Sequence, residues 1–372
     1  QLQHITYEGQ LSLKTQKVKD VIERIGHQNP DLVKPALGPK EPWAYRNKMQ
    51  MPVGGTKGDI LMGFYAMGSH DIVQGTNCPI QDEGNNIIAQ ACYQIAKELD
   101  VEPYDEHTGK GVLRHIIGRI GQSGWMIILV TATEQLPHKE KWVEKLTERV
   151  PQVETIVHNV NGKRTNVILG PKNNILYGDG TITDHIKDLR FTLSPHSFFQ
   201  VNPEQTTVLY DQALTYADLK GDETVIDAYC GTGTISLFLA HKAKHVIGIE
   251  IVEPAIINAR ENAKRNGYDN TEFIVADAAV EMPKLYKAGV RPDVIVFDPI
   301  RAGCKEEVLT SAAGMEPKRI VYVSCNSATM ARDIEILTHY GYELQEVQPV
   351  DMFPMTAHVE AVALLTRNEA TQ

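Results

Sequence analysis

The sequence predicts an α/β protein in two parts. Residues 1–190 read as an α+β domain, and residues 191–372 as a Rossmann-like, doubly wound sheet. Two observations predict the second part. Beyond residue 190, apolar runs alternate with helix-length segments: TVIDAYCGTGT, HVIGIEI, TEFIVAD, DVIVFDP and RIVYVSC. Runs that are apolar on both faces and separated by helices belong to a largely parallel sheet covered on both sides. A third observation predicts the first part: paired β-rich runs around tight turns, interrupted by two helical patterns, point to an antiparallel sheet with helices.

The elements follow in order. Residues 7–26 place Leu11, Val18, Val21, Ile22 and Ile25 among charges, the pattern of an amphipathic helix. WAYRNKMQMPV and ILMGFYAMGSHDIV flank GGTKGD, a hairpin over 42–72. Helices are expected at 82–100 and 137–149, with a strand pair RHIIGRIG and WMIILVTAT between them and short strands from there to about 190. A helix over 203–218 leads into the alternating region. No internal repeat or low-complexity segment interrupts the chain.

Composition narrows the class. At roughly 100–200 residues per domain, 372 residues suit two domains. No apolar run approaches the roughly 20 residues that span a bilayer, so no membrane partner is expected. The start, QLQHITYEGQ, has no signal-peptide pattern and no initiator Met, and reads as a trimmed chain. Five widely spaced cysteines without a CxxC pair argue against zinc and for a reduced, cytoplasmic setting. The net charge of -10 disfavours tight non-specific polyanion binding, but the acid excess is concentrated in residues 220–365, with 14 basic against 21 acidic residues. Arg46/Lys48, Arg114/His115 and Lys163/Arg164 leave room for a specific nucleic-acid contact.

VIDAYCGTGTIS sets Gly231 and Gly233 where a strand turns into a helix, which lets backbone approach a ligand closely. Asp227 precedes them, Glu250 ends the next strand and Asp277 the third. Open sheets of this kind bind ligands at those strand ends, and an acid such as Glu250 can accept from ribose hydroxyls. Dinucleotide enzymes share the geometry, but Ser236 replaces the third glycine of GxGxxG and Asp227 would repel a pyrophosphate. A compact cationic nucleoside such as S-adenosylmethionine fits better.

Three further residues fall at or near the same edge: Asp298 in VIVFDPIRAGC, Cys325 in YVSCN and Glu360 in AHVEAVALL. Taken singly, each has a bland reading: a small buried thiol, a turn carboxylate, a solvated strand end. Together with a methyl-donor pocket they suggest one reaction. A thiolate adding to carbon 6 of a pyrimidine makes carbon 5 nucleophilic, and a base must then remove the carbon 5 proton so that the thiolate can leave. Cys325 and Glu360 can fill those two roles, and burial is expected to raise the Glu360 pKa.

At this point the sequence resembles a known family, the bacterial RNA uracil-5-methyltransferases, which act on ribosomal RNA or on the T-loop of transfer RNA. SFFQVNPEQT, DAYCGTGTISL, GIEIVEPAIINARENAKRNG, FDPIRAGC, YVSCNSATMARD and HVEAVALL carry the resemblance in family order, across about half of the chain, and QLQHITYEGQLSLK and YRNKMQMPV add to it. The resemblance implies a class I S-adenosylmethionine-dependent methyltransferase fold behind an RNA-binding α+β domain. It implies Gln200, Tyr229, Glu250 and Asp298 at the S-adenosylmethionine site, Cys325 as nucleophile and Glu360 as base. Phe198 and Phe199 are expected to shape the pocket of a flipped base. Arg301 is expected near that base, and Arg46, Lys48 and Arg114 on phosphates.

Two departures from the pattern stand out. Ile300 occupies a position that is usually proline, which bears on loop stiffness. Ribosomal-RNA members also commonly carry a cysteine cluster just before a segment like QLQH. Cys78 matches the remaining ligand of that cluster but lacks upstream partners, so the expectation is a missing N-terminal region and no intact iron–sulfur cluster in this chain.

The resulting expectation is a monomeric enzyme that makes 5-methyluridine at a specific site in 23S ribosomal RNA. The same chemistry on the transfer-RNA T-loop is the nearest rival. Cytosine methylation is disfavoured because Ile300, not Cys, follows Pro299. A nicotinamide-dependent oxidoreductase explains the glycine turn but not Cys325 with Glu360. A non-catalytic RNA-binding protein would make Cys325 dispensable.

Overall fold

The structure, a computed structural model, describes residues 1–368; the last four residues of the expected second domain, 369–372, lie outside them. The chain forms two compact units. One contains Gln1–Pro42 together with the residues from Asn202 onward, and the other is Trp43–Val201. The boundary expected at 190 therefore falls inside the second unit, and the first 42 residues belong with the C-terminal half.

The reason lies in helix α1 (Tyr7–Arg24), capped by the Thr6 hydroxyl accepting from the Gly9 N–H. Its buried face is Gln10, Lys14, Val18 and Ile22, so two of the four residues are polar. Both find partners far along the chain. Lys14 Nζ lies 2.5 Å from Asp351 Oδ1, each side chain almost fully buried. Gln10 Oε1 accepts from the Met355 N–H at 3.0 Å. An apolar-periodicity reading finds the helix but not what it packs on.

The Trp43–Val201 unit follows the expected elements closely. Its strands are β1 (Lys48–Thr56), β2 (Asp59–Tyr65), β3 (Ile72–Gln74), β4 (Leu113–Ile120), β5 (Trp125–Thr131), β6 (Val153–Val160), β7 (Lys172–Tyr177), β8 (Ile182–Ile186) and β9 (Leu189–Leu193). Its helices are α2 (Glu83–Glu98) and α3 (Lys139–Arg149). Seven strands make one sheet in the order β3-β2-β1-β4-β5-β6-β7, and β8 and β9 form a separate hairpin. Pairing is antiparallel except between β5 and β6. A parallel pair needs a crossover, and α3 supplies it.

In the other unit, α4 (Pro203–Ala217) precedes β10 (Thr224–Ala228), α5 (Thr234–Ala240), β11 (His245–Glu250), α6 (Glu253–Arg265), β12 (Thr271–Val275), α7 (Ala278–Lys287), β13 (Val294–Phe297), α8 (Glu306–Gly314), β14 (Arg319–Ser324), α9 (Ser327–His339), β15 (Tyr342–Val350) and β16 (Glu360–Arg367). The strand order is β12-β11-β10-β13-β14-β16-β15. β10 to β14 are parallel, and β16 enters antiparallel between β14 and β15. The chain moves outward from β10 in one direction and then resumes at β13 on the other side. That reversal opens a crevice at the carboxyl ends of the strands, where ligands bind in such sheets. One core cluster joins Val18 and Ile22 of α1 to Met282, Leu309, Met330 and Ile334 on α7, α8 and α9, over Ile226, Ile295 and Tyr322 of the sheet.

Candidate active site

The crevice begins at β10. Four of its five residues are buried, and Asp227 is fully so. Strand alternation turns Asp227 toward α5, where Ser236 Oγ donates to its Oδ2 at 2.5 Å, while Oδ1 has no partner. Burial pushes this carboxyl up to about 7, with the charge of Glu250 adding to the effect.

The glycine turn follows. Tyr229 holds φ 145, a strained value for a residue with a Cβ, and Gly231 and Gly233 hold φ 54 and 80. The two glycines serve different ends. A Cβ at Gly231 would meet nothing within 4 Å, so the turn borders open space there. A Cβ at Gly233 would press on Ala259 and Phe273 at 3.1 and 3.2 Å, so that glycine lets the turn pack. Glu250 ends β11 beside the turn. Its Oε2 accepts from the Gly231 N–H at 3.2 Å and its Oε1 from the Val252 N–H at 2.9 Å. An ionised carboxylate keeps further lone pairs for a hydroxyl. Asp277 caps α7, accepting from the Ala279 N–H at 2.9 Å, and pairs with Lys305 Nζ at 3.0 Å.

β13 ends at Phe297 and delivers Asp298. Burial, then the charges of Glu360 and Asp227, raise its carboxyl well above the usual range. Asp298 thus links the carboxyls of the glycine-turn side to those of the thiol side.

β14 ends at Ser324, and Cys325 follows in the gap before α9. Cys325 is half-buried. Ser324 is the register partner of Ala361, so the strand that begins with Glu360 starts beside the point where the thiol emerges. Glu360 is 5% exposed, and burial pushes it up to about 7 against the opposing charge of Arg301. The Cys325 thiol is raised too, first by burial and then by Glu360 and Asp298, while Arg301 holds it down. Four groups expected from the sequence, Cys325, Glu360, Asp298 and Arg301, therefore share one electrostatic environment.

Sequence reasoning missed what holds them there. Asn326 caps α9 through the Ala328 N–H and donates from Nδ2 to the Arg301 carbonyl at 2.9 Å, tying the loop after β13 to the loop after β14. The Arg301 guanidinium donates to His358 Nδ1 at 3.0 Å. Beneath the loop, buried Asp333 accepts from the Cys304 N–H at 2.7 Å and the Tyr322 hydroxyl at 2.5 Å. The polar run SCNS before a helical pattern was a readable cap signal, whereas Asp333 and His358 gave none. Ile300 is 77% exposed, and its carbonyl accepts from the Gly303 N–H at 2.9 Å, so a hydrogen-bonded turn holds the loop without a second proline.

The remaining expected residues lie in the Trp43–Val201 unit. Gln200 is half-buried near its end. The phenylalanine pair splits: Phe199 is buried against Phe191 with ring centroids 5.5 Å apart, while Phe198 is 73% exposed. A base-stacking role is therefore open to Phe198 and not to Phe199, whose ring is already packed. Lys48 faces Arg119 directly across β1 and β4. Burial, then Arg119 and Arg46, push the Lys48 amine down to about 7. Among the described residues no carboxylate lies within ion-pair distance of Lys48. Arg119 Nη2 donates to the carbonyls of Pro195 and Ser197. Like charges directly opposite are destabilising by themselves. Arg114, expected as a surface contact, is instead 4% exposed and lies over the Tyr104 ring at 4.6 Å. Cys78 is half-buried, its N–H donating to Asn86 Oδ1 at 3.0 Å, and among the described residues no group of three His, Cys, Asp or Glu side chains could hold a metal ion. Nor is any helix of the described residues long and apolar enough to cross a membrane.

Comparison with known proteins decides the family. The profile described as tRNA (Uracil-5-)-methyltransferase matches residues 129–368. The chain belongs to the tRNA (uracil-5-)-methyltransferase family. Relatives of this family member include an uncharacterised RNA methyltransferase of Halalkalibacterium halodurans, 52% identical over 367 residues, covering 98% of this chain and 80% of that protein. One from Clostridium acetobutylicum is 49% identical over 373 residues, covering 99% and 81%. The solved Pyrococcus abyssi tRNA (uracil-54, C5)-methyltransferase, in complex with S-adenosyl-L-homocysteine, superposes with a TM-score of 0.81 at 28% identity, covering 98% of this chain and 85% of that one. The family member is thus an RNA methyltransferase with a class I methyltransferase sheet, as the sequence implied.

Proposed function

We propose that this enzyme methylates carbon 5 of a specific uridine in 23S ribosomal RNA, with Cys325 as nucleophile and Glu360 as base. The observation that carries the reading is that Cys325 and Glu360 flank the Ser324–Ala361 pair at the adjoining ends of β14 and β16, within electrostatic reach of each other and of Asp298. The fit to S-adenosylmethionine rests on this chain's own groups. The open space at Gly231 and the Glu250 carboxylate beside it suit a cationic nucleoside. Tyr229, Gly231, Gly233, Glu250, Asp277 and Asp298 would hold it. Bound S-adenosylmethionine supplies the electrophilic methyl group that carbon 5 takes.

The chain's residues do the rest. Cys325 reacts as the thiolate, its proton lost to solvent, and its sulfur bonds to carbon 6 of the uracil. The electron pair of the carbon 5–carbon 6 bond moves onto carbon 5 and the adjoining carbonyl. After methylation, Glu360 takes the proton from carbon 5, the double bond re-forms and the carbon–sulfur bond breaks. A carboxylate raised to about 7 is a stronger base than an exposed one. Arg301 is the cation in the chain that opposes the upward shift of the thiol. For RNA itself, Arg46 and Lys48, which make no ion pair with a carboxylate among the described residues, offer side chains suited to phosphate. The 23S target rests on the resemblance of the QLQH segment to ribosomal-RNA members. A second reading, the transfer-RNA T-loop, is favoured by the likeness to the archaeal tRNA enzyme.

The test incubates the enzyme with methyl-tritiated S-adenosylmethionine and transcripts of 23S ribosomal RNA or transfer RNA, then maps 5-methyluridine by mass. Native enzyme is expected to label a 23S uridine and Cys325→Ala none. Label on transfer RNA alone moves the target to the T-loop. A Cys325→Ala enzyme that methylates normally removes the nucleophile assignment.

A further inference from the structure

The Trp43–Val201 unit contains a cavity of about 290 Å³ that the chemistry above does not use. Its size approaches that of small-ligand sites, roughly 300–1,000 Å³. One wall is a ring pair: Tyr65 and His70 stack with centroids 4.9 Å apart and an interplanar angle of 20°. Glu106 holds both, accepting from the Tyr65 hydroxyl at 2.8 Å and lying 2.7 Å from His70 Nδ1, so its two oxygens are engaged. The lining also includes two arginines. Arg114 donates from Nη1 to the Asn161 and Lys163 carbonyls, and Arg164 donates to the backbone of Glu106 and His107.

Two features single this cavity out. Arg114 stands at a β-bulge, where the β4–β5 register shifts between Leu113 and His115. Bulges re-aim side chains and are frequent beside functional sites. Second, Arg114 Nε and His115 Nδ1 are both buried with no hydrogen-bond partner, although their residues are 4% and 6% exposed. A buried, unpaired polar group is costly, and two in one wall call for a polar partner. Burial chiefly pushes the His115 imidazole down to about 4.

We infer that this cavity takes a single unpaired nucleotide of the substrate RNA, its base against the Tyr65–His70 pair and its polar edge toward Arg114 and His115. Stacking on aromatic faces, with guanidinium groups beside them, is how proteins hold splayed-out bases. The inference rests on the proposal that RNA is the substrate, and it adds a contact outside the reacting uridine.

The experiment uses 23S ribosomal RNA and transfer-RNA transcripts carrying 5-iodouridine. Photo-crosslinking followed by peptide mapping is expected to place a crosslink on Tyr65 or His70. The Tyr65→Ala/His70→Ala protein should bind RNA about tenfold more weakly, while Tyr65→Phe, which keeps the ring, should bind within about twofold of native. Thermal unfolding midpoints of the variants show that each is folded. If the double variant binds like native and crosslinks map elsewhere, while native enzyme still methylates RNA, the pocket is overturned and the function stands. If native enzyme neither binds nor methylates either RNA, the substrate reading fails and the pocket falls with it.

Discussion

Cys325 and Glu360 leave neighbouring strands at one edge of a sheet, because Ser324 and Ala361 are paired across β14 and β16. The pairing is antiparallel, so one strand ends where the other begins. That arrangement lets a nucleophile and a base serve the same ring without lying near each other in sequence.

Removing the base without removing the nucleophile should separate the two halves of the reaction. In Glu360→Gln the sulfur can still bond to carbon 6, but the carbon 5 proton has no acceptor. Turnover is expected to fall by about 10²–10⁴, and a denaturation-resistant RNA–protein adduct should accumulate toward one per enzyme. Gel electrophoresis with labelled RNA reads it. Normal turnover in this variant would remove Glu360 from the mechanism.

The pH profile follows from the same group. Glu360 acts only when ionised and is pushed up to about 7. The turnover number should rise about tenfold per pH unit below 7 and level off above it. The raised Cys325 thiol adds a further rise in kcat/KM at higher pH. A flat turnover number between pH 6 and 8 contradicts this.

Stability should run the other way. Burial raises Glu360 from the ordinary 4.5, so the folded chain binds that proton more tightly than the unfolded one. Below about pH 4 both states are protonated and there is no penalty. As pH climbs to 7 the unfolded chain ionises first, and the native state loses up to about 3 kcal/mol. Asp227 shifts in the same direction. Urea midpoints should therefore drop from pH 5 to pH 8 in the native protein and drop less in Glu360→Gln. Equal drops would show that burying Glu360 carries no such penalty.

Lys14→Ala leaves Asp351 buried without its cation. Breaking a buried pair in this way costs about 3–5 kcal/mol, well beyond a typical surface change. Chemical denaturation followed by circular dichroism measures it. A loss under about 1 kcal/mol would place the pair with weak surface bridges.

Lys48→Ala tests the phosphate reading. Loss of one phosphate contact should weaken RNA binding across sequences and lower the slope of log Kd against log salt by about 1. An unchanged slope assigns Lys48 another role.

Much of the candidate site was legible because each apolar run ends in a residue of unusual chemistry. Asp298, Cys325 and Glu360 stand out against VIVF, IVYVS and AVALL, and a parallel sheet collects such ends along one edge. The rest depends on long-range packing. Lys14 meets Asp351 through the tertiary fold, and no local pattern joins residues 1–42 to the far end of the chain. Arg114 is buried with its neighbours because β4 is covered on both faces, so its charge does not mark a surface. Phe198 and Phe199 look alike in sequence, yet one is exposed and the other is packed on Phe191.

The buried partnership of α1 with Asp351 and Met355 also constrains synthesis. The ribosome releases α1 ahead of its docking surface, which emerges only after some 300 further residues, roughly 15–60 s later at about 5–20 residues per second. Trp43–Val201 is continuous and can fold in the interval. Through that wait a lysine and a glutamine on the inner stripe keep the unescorted helix wettable, so the same side chains that lock the finished enzyme protect the nascent one from clumping.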